Sequence, residues 1–327
     1  MIMFFLSFFN DFFSDSFSSL NINQRQVLNS GCYYICDCFF ANLSISNGNG
    51  GAICLNECNA KIVIEDTMII NCGITGTTFC GGGVYFYCTA NGEIVFNKVC
   101  ANSCYSNSYN YPYGDQFARS TTSSNGKNYG ILISIAQCSP LPLNREKSFT
   151  PENGHQEFKY MNSSWNHPKF HSSAWYINPT SHRVLFCTTV SNLCTWVSIY
   201  FWKGSNNTYY MSNIVNNSQE STSYGVIFIG VNGQAAFSSF ICCNFLNNAK
   251  TGNKVLFSGE SGSLSVIQCA IGYFSSNTFV TTPGGINSYS SSIHIKHFET
   301  KYCPVLNEPT GSFQTKQTIM FLFCIIL

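Results

Sequence analysis

Apolar residues along this chain come in short runs of four to six, β-branched or aromatic, and Gly, Asn or Ser bound each run. Branched and aromatic side chains suit a pleated surface and the bounding residues suit turns, so the pattern predicts strands. No stretch of the middle chain keeps a 3.6-residue apolar period for three turns, so no helix is predicted there.

The runs recur. Residues 48–72 lie without a gap on residues 80–104, at an offset of 32, with identities at Gly50/Gly82, Gly51/Gly83, Asn59/Asn91, Ile62/Ile94, Val63/Val95 and Cys72/Cys104. Residues 226–248 lie on 255–277 at an offset of 29, with Val226/Val255, Phe228/Phe257, Gly230/Gly259, Phe245/Phe274 and Asn248/Asn277 identical. The unit is a strand, a turn on Asn-Gly or Ser-Gly, a second strand and an Asn-rich turn. Looser copies lie at Tyr129–Cys138, Ala174–Cys194 and Trp196–Asn217, and units start near 50, 82, 130, 173, 198, 225 and 254. Strands without helices at that spacing predict an all-β fold, a parallel β-solenoid whose coils stack on one another. A β-sandwich or barrel of short strands is the alternative.

Composition sharpens this picture. Only 9% of the 327 residues are charged, where roughly a quarter is usual. Sixteen Lys and Arg against 15 Asp and Glu leave no surplus for neutralising phosphates, so no nucleic-acid partner is expected. A hydrophobic fraction of 45% excludes a disordered chain. The 36 Asn and 42 Ser fit a stack in register, where like charges would repel and amides can bond to their equivalents along the axis. Asn is expected at the corners, since it tolerates left-handed backbone.

Three regions follow. Residues 1–30 are a Phe-rich segment that reads as a short signal or a cap; residues 31–290 form the β-helix; residues 291–327 end in the apolar tail Ile319–Leu327. Nine residues are half a membrane span, so membrane association through that tail stays open. Two stretches depart from the unit and are expected to project as loops, near 106–128 and 140–171. The second carries the densest charge, including Arg145, Lys147, Glu152 and Glu157.

Candidate chemistry is sparse. The five Asp residues (Asp11, Asp15, Asp37, Asp66 and Asp115) are scattered, with no two adjacent. No catalytic residue and no cofactor is expected. His167 and His171 have helical ligand spacing but Pro168 stands between them, and the 18 Cys include no paired Cys-x2-Cys knuckles, so no metal site is expected. Cys-x3-Cys at 32/36, 54/58 and 100/104 leaves disulfides and a buried thiol ladder both open. Glycosylation sequons stand at Asn42, Asn162, Asn206 and Asn216. Tyr109–Tyr113, Trp165, Trp175 and Trp196–Trp202 are aromatic candidates for stacking on a sugar or a protein surface.

Gly50-Gly51-Ala52-Ile53, with Phe39-x-x-Asn42, Phe245-x-x-Asn248 and Phe274-x-x-Asn277, resembles the GGA-[ILV] and F-x-x-N signatures of polymorphic outer-membrane-type β-helix repeats. The layout is also similar to large surface families of parasitic flagellate protists. The resemblance implies a right-handed parallel β-helix of the pectin-lyase-like kind, secreted or at the cell surface, that adheres to a host surface protein or glycan. Its signatures are structural, so it implies no catalytic residue. The expected function is therefore non-enzymatic adhesion or ligand binding. A carbohydrate lyase or hydrolase on the same fold, and a structural member with no ligand, are the alternatives.

Overall fold

A computed structural model describes residues 18–20, 24–57, 59–108, 114–138, 147–203, 206–220, 224–230, 236–248, 256–259, 262–272, 280–281 and 286–287. The Phe-rich opening, Tyr109–Tyr113, Phe274, Asn277 and the apolar tail lie outside them. Among the described residues every regular element is a strand, and every strand pairing is parallel. The chain is a β-solenoid, as the repeats predict.

Each coil has three parts. The first strands of successive coils stack into one nine-stranded sheet: Gln26–Leu28, Ile53–Asn56, Val84–Tyr87, Asp115–Thr121, Lys147–Glu152, His171–Ile177, Val197–Trp202, Ile227–Ile229 and Phe257–Gly259. The chain then crosses to a larger sheet and bends within it. Early coils cross the bend as one long strand, as in Ala60–Ile70, Glu93–Asn102 and Lys127–Ala136. Later coils break there, as in His155–Lys159 followed by Asn162–Ser164.

The bend is made by one left-handed residue per coil: Asp37, Asp66, Lys98, Leu132, Tyr160, Phe186, Met211, Cys242 and Gln268, with φ between 43° and 56°. Five positions later a second one turns the chain again: Asn42, Asn71, Ser103, Gln137, Trp165, Ser191, Asn216 and Asn247. The expected corner Asn therefore holds at four of the eight second bends and again where the chain enters the larger sheet, at Asn59, Asn153, Asn178 and Asn206, but at none of the first bends. A side chain with a β-carbon in this region costs about 1–2 kcal/mol. Stacking along the outside offsets part of that at the first bend, where Tyr160 lies on Phe186 at 5.3 Å with rings 13° apart.

Repeat and register agree in the first pair. Ile62 pairs with Ile94 and Val63 with Val95, and Asn91 Nδ2 donates to Asn59 Oδ1 at 2.6 Å. The repeated glycines mark close approach between coils: a β-carbon on Gly51 would collide with the Gly82 carbonyl oxygen. The second pair is corrected. Ile227 pairs with Phe257, an offset of 30, while Phe240 pairs with Val266, an offset of 26. The ungapped offset of 29 thus matches outward Phe228 with inward Phe257, because a slip of one residue reverses every side chain.

The expected loops are largely coil. Asp115–Thr121, Lys147–Glu152, His155–Lys159 and Asn162–Ser164 are all strands in the stack. Their charges are accommodated because opposite signs meet between neighbouring coils, as in Arg119 Nη2 with Glu152 Oε2 at 2.8 Å. Inside the coils runs an aromatic spine that accounts for much of the Phe content. Phe96, Phe117, Phe149, Phe158, Tyr176 and Phe201 follow one another at ring separations of 5.3–5.8 Å, and Phe240 continues the series at 6.5 Å.

Candidate functional site

The outer side of the nine-stranded sheet departs most from a plain solenoid. Along each strand alternate side chains enter the core and face outward. In the first coils the outward residues are Tyr85 and Tyr87. Further along, Tyr85 stacks on Arg119 and Arg119 on Thr150, while Trp175, Tyr200 and Phe228 continue in line. A second outward row runs Tyr87, Thr121, Glu152, Ile177 and Trp202.

A third row exists only because of bulges. Between Asp115 and Ala118 the strand holds one residue more than its partner between Lys147 and Phe149. The same happens between His171 and Ala174 against Val197 and Ile199. Each extra residue re-aims the side chains before it. The result sets Asp115, Lys147, His171 and Val197 in register on four successive coils.

This row is buried and polar. Thr150 Oγ1 donates to Asp115 Oδ1, while Asp115 Oδ2 has no hydrogen-bond partner. Lys147 is only 1% exposed, and its Nζ lies 3.5 Å from the centre of the Trp175 ring. Burial destabilises the ammonium and Arg119 repels it, against the pull of Asp115, so its pKa falls to about 7. Burial likewise raises the Asp115 carboxyl, although Lys147 and Arg119 oppose the shift. His171 is held neutral by burial and by the Lys147 charge, and its Nδ1 also lacks a partner. Arg119 pairs with Glu152, which also accepts from Thr121 Oγ1 at 2.8 Å. Burial first, and then the Asp115 charge, pushes the nearby Cys80 thiol up to about 11.

Beside the row lies a continuous aromatic face. Trp175 stacks on Tyr200 at 5.8 Å and touches Trp202 at 5.0 Å; Tyr200 meets Phe228 at 5.1 Å. Tyr224 links Phe228 to Trp196 at 5.2 Å on each side, and Trp196 packs on Phe170 at 4.4 Å. Trp175 is buried at 6% exposure, whereas Trp196 is 38% exposed and Trp202 and Tyr224 are half-buried at the rim. The face is apolar in its middle and open at that edge.

Of the aromatic candidates read from sequence, Trp175, Trp196 and Trp202 come together here. Trp165 stands apart, at a left-handed corner. Reading the Asp residues as scattered missed that Asp115 lies one coil from Lys147, and Arg119 one coil from Glu152. The signal was the coil period itself, since these partners are 32 and 33 residues apart. Among the sequons, Asn42 and Asn206 are exposed, Asn216 is half-buried and Asn162 is buried in a strand at 3%. His167 is exposed while His171 belongs to the buried row, so their spacing brings no shared ligand set together. Among the described residues no group of three or more His, Cys, Asp and Glu could hold a metal ion, and no helix is long and apolar enough to cross a membrane.

Two sets of the described cysteines form ladders of free thiols. Cys72, Cys104 and Cys138 stand one residue past the second bend of successive coils and remain thiols. Cys187, Cys243 and Cys269 do so past the first bend, where Ser212 takes the same place. There each group donates to a carbonyl two residues back, Cys187 to Leu185 at 3.3 Å and Ser212 to Tyr210 at 3.0 Å. Each also accepts from the coil before, as Cys187 N donates to Ser212 Oγ at 3.1 Å and Met161 N to Cys187 Sγ at 3.2 Å. A small side chain that both donates and accepts is what this position requires. Cys100, by contrast, is disulfide-bonded.

Compared with known proteins, the chain matches no family model, no curated protein and no solved structure.

Proposed function

We propose that this β-solenoid is a non-enzymatic binding protein of the pectin-lyase-like kind, secreted or at the cell surface, that takes a glycan on the aromatic face of its nine-stranded sheet. One observation carries the reading: eight rings lie in contact on the outer side of a sheet, with Trp175, Tyr200, Phe228 and His171 buried beneath and Phe170, Trp196, Trp202 and Tyr224 at the accessible rim. Aromatic faces stack on the apolar side of sugar rings. Arg119 and Glu152 alongside, largely buried and paired with each other, would present a donor and an acceptor to hydroxyls at their edge.

The test is titration of the full chain against a glycan panel. Trp196→Ala and Trp202→Ala are expected to weaken binding roughly tenfold or more each, with unchanged melting temperature for the exposed Trp196. Binding that survives both substitutions, or that is confined to a protein partner, overturns the glycan reading. Surface labelling of intact cells that leaves the protein unmodified overturns its placement.

A further inference from the structure

We propose that Cys303 is the partner in the Cys100 disulfide, and that residues 288–303 run back along the outside of the solenoid over the face between its two bends. Each coil sets one side chain at the centre of that face, from Met68 and Cys100 through Ser134, Asn162 and Thr188 to Asn244. These side chains point out of the solenoid. Val99 and Ala101 on either side of Cys100 belong to the core, as do Ile133 and Ile135 beside Ser134 and Cys243 and Phe245 beside Asn244, and neighbours on a strand face opposite ways. Yet the row is buried, with none of these six more than 8% exposed. Small outward side chains reach that level beneath an overlying chain. Ser134 Oγ and Thr188 Oγ1 also lack a hydrogen-bond partner, which buried hydroxyls rarely do; the peptide groups of such a chain would bond to them.

The disulfide says which chain. Cys100 is bonded, while 14 of the other cysteines are free thiols, which leaves Cys58, Cys303 and Cys324. Asn59, next to Cys58, stands at the start of the strand Ala60–Ile70, and Cys100 pairs with Met68 near its far end. That separation is roughly 20 Å, where the Cα atoms of a disulfide lie within about 7 Å. The C-terminal segment does reach. Its last described strand ends in this same row, with Asn287 paired to Ala270. From Asn287 back to Cys100 is seven pairings, roughly 34 Å at about 4.8 Å each. The 16 residues from Ser288 to Cys303 span up to about 53 Å when extended. Cys324 lies 21 residues further on, and a longer loop costs more to close. Closing the bond takes two electrons and two protons from the two thiols; a disulfide of an oxidising compartment accepts them and becomes two thiols.

This inference does not rest on glycan binding at the rim. The test is disulfide mapping of the full chain, alkylated without reduction and digested with trypsin. Cys303 and Cys324 fall in separate peptides, 302–316 and 317–327. A species that joins the Cys100 peptide to 302–316 and is lost on reduction is expected. Cys100 found alkylated, or joined to 317–327 or to Cys58, overturns the proposal. The cover is read separately with Thr188→Cys, whose thiol is expected to react with a maleimide ~10-fold faster once Cys303→Ser releases the segment. Equal rates with and without Cys303→Ser overturn the cover, and the disulfide map decides the pairing alone if either variant does not fold.

Discussion

Cys104 and Asn192 occupy the same place in their coils, one residue past the second bend, with different chemistry around them. In the early coils this ladder reads Leu43, Cys72, Cys104 and Cys138; in the later ones it reads Asn166, Asn192, Asn217 and Asn248. The lumen changes with it. The row that is Ile62 and Ile94 early becomes Asn128, Gln156, His182 and Asn207 later. The early half is held mainly by burial of apolar surface and thiols, whose bonds are long and weak, such as Cys104 Sγ to Ile69 O at 3.4 Å. The later half is held by a network with direction. Asn192 Oδ1 accepts from Asn166 N at 2.9 Å and from Asn166 Nδ2 at 3.1 Å, and its Nδ2 donates to Ser163 O and Asn217 Oδ1. Cys138 is the junction, a thiol residue whose backbone N donates to Asn166 Oδ1 at 2.9 Å. One geometry thus tolerates either an apolar rung or a fully bonded amide, and the two should fail differently when broken.

The amide half should be the more brittle. Asn192→Ala leaves the buried Asn166 N–H without its acceptor and removes the bonds to Ser163 O and Asn217 Oδ1, so it is expected to lower stability by about 3 kcal/mol. Chemical denaturation of the variant reads this directly, and a loss below about 1 kcal/mol would remove the distinction between the halves.

Acid should act on the same half. Burial drives the His182 imidazole down to about 3, and both ring nitrogens lack a hydrogen-bond partner. The folded pKa lies below the unfolded value near 6.5, so this contribution is complete above pH 6.5 and is lost as pH falls toward 3. Between pH 7 and pH 4.5 the His182 share of the loss is about 2–3 kcal/mol. Comparing denaturation of wild type and His182→Leu at the two pH values isolates it; equal losses in both would show that the imidazole takes up its proton without penalty.

The thiol half should yield less. Cys104→Ala removes a buried sulfur and the weak acceptor it offers the Cys72 backbone, so about 1 kcal/mol is expected, read as a shift in the denaturant midpoint. A loss matching that of Asn192→Ala would mean the thiol ladder is bonded more strongly than its distances indicate. The smallest effect is a gain at the first bend. Leu132 has φ 56°, and Leu132→Asn is expected to stabilise by up to about 1 kcal/mol, because Asn adopts that region more readily. A destabilised variant would show that outer-surface packing, not backbone preference, fixes the residue there.

Much of the architecture could be read before any coordinates. The offset of 32 between residues 48–72 and 80–104 is the register of two coils, and the runs bounded by Gly and Asn are strands. The site was less legible. Asp115, Lys147 and His171 share a row because bulges add one residue to alternate strands, and no local pattern announces a bulge. The second repeat shows the same limit, since turns of unequal length change the offset from 30 to 26 within one coil. Amides bonding along the axis were foreseen and occur at the corners, as Asn71 with Asn42, but the buried Asn ladder one position past the second bend was not.

By itself, the sequence determined a parallel stack of short strands, because neutral polar turns, branched strand residues and a recurring period leave little else that buries the apolar runs. It also determined that few charges would be available. Only the tertiary structure decided where those few meet and which side each residue faces. The pleat has a period of two, so one inserted residue exchanges inside for outside. The protonation of a buried group such as Lys147 then depends on what the coils above and below happen to stack against it.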